Sequence, residues 1–322
     1  MNFSKKLYNT LSVCCLLILF MSLSCSKDED AVPVTPPRDF TVQRNSDRDV
    51  IEKFLYENTY EINANQDIVF KPYVALGTAR LKELPTSGST FPQLRSKNVA
   101  LHDVEGGYKV YYLVFNEGNT AKRPTILDEV FTAYRGIYLE NNNGVLGINQ
   151  EFETTPYPTS LFSLTSVIRG WREIFPLFGA GTVDTLNPNG PTSYQNYGVG
   201  AIFIPSGLAY FNTSQITNSG VTIPSYSPLV FTIKLYDLKR ADQDGDKVES
   251  MNEIIRNADD TFTLTDTDAD GTPDYADIDD DNDGFPTLNE ITKLDGTFYN
   301  FIDIPSCSPG GSIKKHLDSS CK

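Results

Sequence analysis

The chain has 322 residues, room for one or two domains plus tails, and only 39% of them are hydrophobic, so part of the length is polar or extended. Acidic residues outnumber basic ones, 42 to 27, and the formal net charge of −15 repels a phosphate backbone and excludes nucleic acid as a partner. The two histidines, His102 and His316, leave little material for a His-dependent catalytic triad.

Lys5 and Lys6 precede an apolar run from Leu11 to Leu23 that ends at Ser24-Cys25, the pattern of a signal peptide over residues 1–24. The run is shorter than the ~20 residues a membrane-spanning helix needs. Leu23-Ser24-Cys25 resembles a bacterial lipobox, with Ser22 where Leu is commonest; the resemblance implies lipid on Cys25 and anchoring to a lipid bilayer, plain secretion being the alternative. Ser26-Lys27-Asp28-Glu29-Asp30 resembles a lipoprotein surface-export signal, which implies an outer membrane lipoprotein, facing the periplasm or displayed at the cell surface. Pro33, Pro36 and Pro37 mark residues 25–44 as an extended tether. Cys14 and Cys15 leave with the signal, so Cys307 and Cys321 remain as a disulfide pair suited to an exported chain.

Ser46-Asp47-Arg48-Asp49 has capping-box form, and Val50, Ile51, Phe54 and Leu55 share one helical face, which predicts a helix within an N-terminal extension over 45–104. Residues 61–97 show no clear period. Strands are predicted at Lys109–Phe115, Glu129–Leu139, Val199–Ile204 and Pro228–Leu238 from their β-branched and aromatic runs, and a short helix at 170–178. Such an order predicts an α+β fold, an antiparallel sheet wrapped on a short helix.

The helix opens with Val167-Ile168-Arg169-Gly170-Trp171, which carries the only Trp of the chain, either a core residue or the floor of an apolar pocket. Five separated motifs weigh on that choice: Tyr134-x-Gly136, Phe152-Glu153, Val167-Ile168-x-Gly170-Trp171, Ile204-Pro205-Ser206-x-Leu208-Ala209-Tyr210, and Ile223-Pro224 with Leu229-Val230-Phe231. In this order they resemble the FKBP-type peptidyl-prolyl cis-trans isomerases over residues 105–240. The resemblance implies an FKBP-like antiparallel sheet and a pocket of Tyr134, Phe152, Val167, Ile168, Trp171, Tyr210, Ile223 and Phe231, with Glu153 where the family usually has Asp. It also implies proline-containing polypeptides as substrates and no cofactor for catalysis. The chain departs from the family at Phe211, where Gly is usual, and in the short stretch Ser160–Leu164, where Phe162 is expected to face the core. A loop-like insertion at 182–197 is read as a surface elaboration or a substrate-gripping flap.

After Arg240 the composition shifts: residues 241–322 hold 20 Asp and Glu against 6 Lys and Arg, nearly all of the net charge. Asp242, Asp244, Asp246, Val248 through its carbonyl, Ser250 and Glu253 have the spacing of a calcium loop, with Lys247 where Gly is expected. Asp279, Asp281, Asp283, Phe285, Thr287 and Glu290 repeat it with Gly284 in place, and Asp266, Asp268 and Asp270 lead a third window. The overlapping runs resemble thrombospondin type-3 repeats or EF-hand-like bacterial loops, against the alternative of a disordered acidic tail. The reading is therefore a lipid-anchored prolyl isomerase assisting the folding of exported proteins, with calcium in its C-terminal segment. The alternative is a calcium-stiffened surface binding or adhesion protein whose FKBP-like domain holds proline-containing segments with little turnover.

Overall fold

The computed structural model describes residues 36–75, 77, 79–142, 145–146, 151–185, 192–308 and 310–321. The predicted signal, Cys25 and the acidic run behind it lie outside the described residues. The chain divides into Met1–Pro37 and Arg38–Lys322, and every element named below belongs to the second unit.

Helix α1 spans Phe40–Glu57. Asp39 caps it, accepting a hydrogen bond from the backbone N–H of Val42 at 2.9 Å, so the helix begins before the Ser46 read from the sequence. The capping-box lookalike sits inside the helix, because Asp47 is turned to another segment: its carboxylate accepts from Ser206 N at 2.8 Å, Ser206 Oγ at 2.7 Å and Gln43 Nε2 at 2.7 Å. Burial pushes the Asp47 carboxyl up to about 6, while the bonds from Ser206 and Gln43 pull the other way.

A hairpin of β1 (Asn58–Ile62) and β2 (Ile68–Pro72) follows. The main sheet is built from β3 (Gln93–Val99), β4 (Tyr108–Asn116), β5 (Glu129–Tyr138), β6 (Glu151–Thr155), β7 (Phe162–Ser163), β8 (Gly198–Ile204) and β9 (Leu229–Lys239). Its order is β3-β4-β8-β9-β5-β6, with β7 also on β5, and every pairing is antiparallel. Edge strand β3 falls partly in the stretch that gave no period. Together with the helices this makes an α+β architecture.

Side chains alternate across the sheet with the period of two that strands impose. Tyr111, Leu113, Ala201, Phe203 and Val230 meet Val50, Ile51, Phe54 and Leu55 of α1 on one face. Tyr112, Val114, Ile202, Ile204, Phe231 and Ile233 meet α2 (Arg169–Ile174) and its one-turn continuation Phe175–Leu177 on the other.

The acidic segment carries only short elements and a small core of Val248, Ile291 and Ile304, with Tyr299 and Phe301 against it. It is fastened to the sheet domain: Arg240 pairs with the fully buried Asp128 at 2.6 Å, and Gln243 Nε2 donates to the Leu127 carbonyl at 2.9 Å. Arg256 Nη1 donates to the Pro176 carbonyl at 3.0 Å, and Lys97 Nζ reaches both the Glu173 carboxylate at 3.1 Å and the Asp260 carbonyl at 3.0 Å. Among the described residues no helix is long and apolar enough to cross a membrane.

Candidate functional site

The aromatic site is assembled where α2 crosses the sheet. Two glycines allow the approach. A Cβ at Gly170 would stand 2.4 Å from Ile204 Cγ2, so only Gly lets α2 settle on β8. A Cβ at Gly136 would stand 2.5 Å from the Phe152 ring and 2.9 Å from the Phe231 ring, which instead close over bare backbone. Gly136 is the register partner of both Phe231 on β9 and Glu153 on β6, so the strand pairing itself brings these residues together.

Trp171 is 4% exposed and lies at the centre of the cluster. Tyr134 and Phe231 meet it edge-on, each with ring centroids 5.1 Å away, and Phe175 supports it at 4.9 Å. Phe152 meets Phe231 edge-on at 5.6 Å. Ile223 is buried in the same cluster, and half-buried Val167, Ile168 and Tyr210 pack at its rim. The structure thus gathers all eight apolar and aromatic residues singled out from the sequence. Phe162 packs against the core cluster as expected, and its ring, 5.7 Å from Tyr134 and 5.9 Å from Trp171, also forms a wall of the site.

Burial holds the Tyr134 hydroxyl protonated, pushed up to about 12, with the Glu153 carboxylate beside it; burial and Glu153 also raise Tyr210. At neutral pH the Tyr134 hydroxyl is hydrogen-bonded to the Glu153 carboxylate, and the protonated Tyr210 phenol stands beside them at the rim of the apolar floor. Phe211 does not fill it: its ring stacks on Phe40 at 4.4 Å and meets Tyr226 edge-on at 5.2 Å, at the start of α1. It takes a left-handed φ of 49°, the conformation that explains why Gly would be at ease there. The described ends of the 182–197 insertion pack through Tyr194 and Tyr197 on Tyr236 and through Tyr194 on Phe131, none of them site residues.

The acidic segment folds its carboxylates into groups. Oxygens from Asp242, Asp244 and Asp246 lie within 4.8 Å of one another, as do those of Asp266, Asp268 and Asp270, those of Asp279, Asp281 and Asp283, and a fourth set from Asp246, Glu253 and Asp280. Loop turns are made by Lys247 at φ 80°, which takes on the strained sixth position without Gly, and by Gly271 and Gly284 at φ 101° and 89°. The Ser250 hydroxyl stays within its loop, donating to the Gln243 side chain and accepting from the Gln243 backbone N–H at 3.2 Å, and Thr287 Oγ1 accepts from the Asp280 backbone N–H at 3.3 Å. The side chain of Val248 belongs to the small core. Phe285 donates its backbone N–H to Asp283 at 2.8 Å, and Glu290 is buried with Lys315 3.9 Å away.

The donor set fits a hard divalent cation. One oxygen each of Asp244, Asp246, Asp268, Asp279, Asp281, Asp283 and Glu290 is buried without a hydrogen-bond partner, and so are both oxygens of Glu253 and of Asp280. Burial first, and then the neighbouring carboxylates, push Asp246, Glu253 and Asp280 well above the usual carboxylate range. Carboxylates crowded in this way want either protons or a multivalent cation. Cys307 and Cys321 are joined with Cα atoms 5.5 Å apart, closing the C-terminal loop.

A family model described as BamM C-terminal matches residues 239–313, the acidic segment. No curated protein matches the chain. Among solved structures it is similar to FkpA from Escherichia coli, at 26% identity over 45% of this chain and 51% of that one with a TM-score of 0.30. It is also similar to the three FKBP domains of wheat FKBP73, at 16% identity over 45% and 51% with a TM-score of 0.31. The chain thus spans about half the length of each of these structures.

Proposed function

We propose that the protein is an FKBP-type peptidyl-prolyl cis-trans isomerase, lipid-anchored through Cys25, that assists the folding of exported proteins. The observation that carries this reading is the continuous aromatic floor of Tyr134, Trp171, Phe231 and Phe152 with the protonated Tyr210 hydroxyl at its rim. Rotation about an Xaa-Pro bond is slow because twisting the amide costs its resonance, a barrier of about 18–20 kcal/mol. No covalent bond needs to break, so the site has only to favour the twisted amide over the planar one. The prolyl ring lies on Trp171, the apolar walls strip water from the amide and disfavour its polar planar form, and Tyr210 donates to a substrate carbonyl to fix its orientation. The likeness of residues 239–313 to the BamM C-terminal model supports an outer-membrane-associated setting. In this reading the acidic segment binds calcium and stiffens, and proline-containing segments of exported chains are the partners.

A chromogenic Xaa-Pro peptide assay on the full chain tests the proposal. Isomerisation faster than the spontaneous rate, abolished by Trp171→Ala, is the expected result. No acceleration returns the alternative, a calcium-stiffened surface binding protein that grips proline-containing segments without turnover.

A further inference from the structure

Asp280 has no place in the calcium-loop spacing. It stands between Asp279 and Asp281, whose carboxylates belong to their own loop, and its side chain points instead at Asp246 and Glu253 of the first loop. All three are buried, at 1%, 2% and 5% exposure for Asp280, Asp246 and Glu253. One oxygen from each lies within 4.8 Å of the others. Oxygens bound at 2.3–2.6 Å to a single ion stand no more than about 5.2 Å apart, so this spacing suits one shared calcium-sized cation.

The charges have no other answer. Among the described residues the Lys and Arg side chains of the segment go elsewhere: Lys247 to Asp242, Arg256 to Asp260, Lys315 to Glu290, Lys293 over the Tyr299 ring and Lys314 to the Phe301 carbonyl. Both oxygens of Glu253, both of Asp280 and Oδ2 of Asp246 are buried without a hydrogen-bond partner. A carboxylate held out of water without donors or a counter-charge is strongly unfavourable, and three together are more so. Two bidentate carboxylates and one further oxygen supply most of the six to eight ligands a calcium ion takes. Asp280 is also fixed in place, its backbone N–H donating to Thr287 Oγ1 at 3.3 Å.

We infer that Asp246, Glu253 and Asp280 form an inter-loop divalent-cation site: Glu253, expected from its spacing as the last ligand of the first loop, groups with Asp280 rather than with Asp242 and Asp244, and Asp246 serves both its own loop cluster and the shared ion. The site rests on the reading of the segment as calcium-binding and deepens it. It ties the first loop, which Arg240 and Gln243 fasten to the sheet domain, to the loop of Asp279–Glu290, so the far end of the segment is held through metal.

The test is calcium stoichiometry and affinity on the full chain, by native mass spectrometry and calorimetry, for the wild type, Asp280→Asn and Asp268→Asn. Asp280→Asn is expected to bind one calcium fewer and to weaken calcium-induced protection of the segment by about tenfold or more, the least that disturbing a metal's surroundings generally costs. In chelator the same variant is expected to be at least as protease-resistant as wild type, since one repelling charge is gone; a purely structural Asp280 would make it weaker there too. Unchanged stoichiometry in Asp280→Asn, with Asp268→Asn losing an ion, overturns the inter-loop site alone. No calcium bound by the wild type overturns the calcium reading of the whole segment.

Discussion

Between Phe40 and Lys239 the chain buries two apolar clusters, one on each face of the sheet, whereas beyond Arg240 the buried apolar side chains of the core reduce to Val248, Ile291 and Ile304. The first region has apolar area enough to order itself, at roughly 25 cal/mol per Å² removed from water. The second cannot draw on that source and instead crowds carboxylates whose repulsion opposes the compact state. One region is thus held by what it hides from water and the other, on the calcium reading proposed above, by a cation that neutralises it, and each perturbation should touch one and spare the other.

The largest effect is expected from removing divalent cations. If the acidic segment binds calcium as proposed, it should lose its compact form in chelator, because its metal-binding free energy would then also be its folding free energy, while the sheet domain stays intact. Hydrogen exchange mapped along the chain reads this directly: residues 241–322 should exchange much faster in chelator than in calcium, with α1 and β4 unchanged. Equal protection in both conditions would show that the disulfide and the small core suffice.

Trp171→Ala comes next and acts on the other region. Emptying a site filled by a side chain that is 4% exposed and touches Tyr134, Phe175 and Phe231 should cost about 3–5 kcal/mol. It should abolish isomerase activity while leaving calcium stoichiometry alone. A urea melt followed by far-UV circular dichroism, beside a calcium titration, separates the two readouts.

The same contrast decides what could be read from the sequence. The four expected strands lie within a residue of β4, β5, β8 and β9, because β-branched and aromatic runs buried on both faces leave a strong signal. Of the aromatic site only Tyr134, Phe231 and Trp171 lie on those strands and on α2; Phe152 on β6, Val167 and Ile168 just before α2, and Tyr210 and Ile223 in the connections were marked by the order of the motifs and the resemblance they carry, not by strand patterning. The start of α1 was not legible, since Asp47 looks like part of a local cap and instead bonds Ser206 across the fold. Polar edge strand β3, Gln-Leu-Arg-Ser-Lys-Asn-Val, carries too few apolar residues to show an alternation. Loop spacing displayed the carboxylates of each loop, but Asp280 is out of phase with it and acquires partners only when the loops fold together.

Asp47 offers a smaller, pH-dependent perturbation confined to the sheet domain. Its carboxyl is raised from 3.8 to about 6 in the fold, mainly by burial. A raised acid stabilises the fold when protonated, so this contribution is fully present below about 3.8 and is lost as pH rises through about 6. The difference amounts to about 3 kcal/mol across the window. Relative to Asp47→Asn, the wild type should therefore gain urea stability between pH 6.5 and pH 4. A gap between the two proteins that does not change with pH would mean that the hydrogen bonds from Ser206 and Gln43 keep Asp47 charged throughout.

The smallest expected change is also the one that separates fold from chemistry. Tyr210→Phe removes a single hydroxyl and leaves the half-buried ring packed at the rim of the aromatic cluster. Because no apolar contact is lost, stability should shift by less than about 0.5 kcal/mol. A hydrogen bond to substrate worth about 1 kcal/mol corresponds to about a fivefold loss in kcat/KM. If the hydroxyl orients the substrate carbonyl, the loss should appear with thermal stability and calcium binding both unchanged. An undiminished rate would place the whole of catalysis on the apolar floor, with desolvation by Trp171 and its neighbours sufficient to favour the twisted amide.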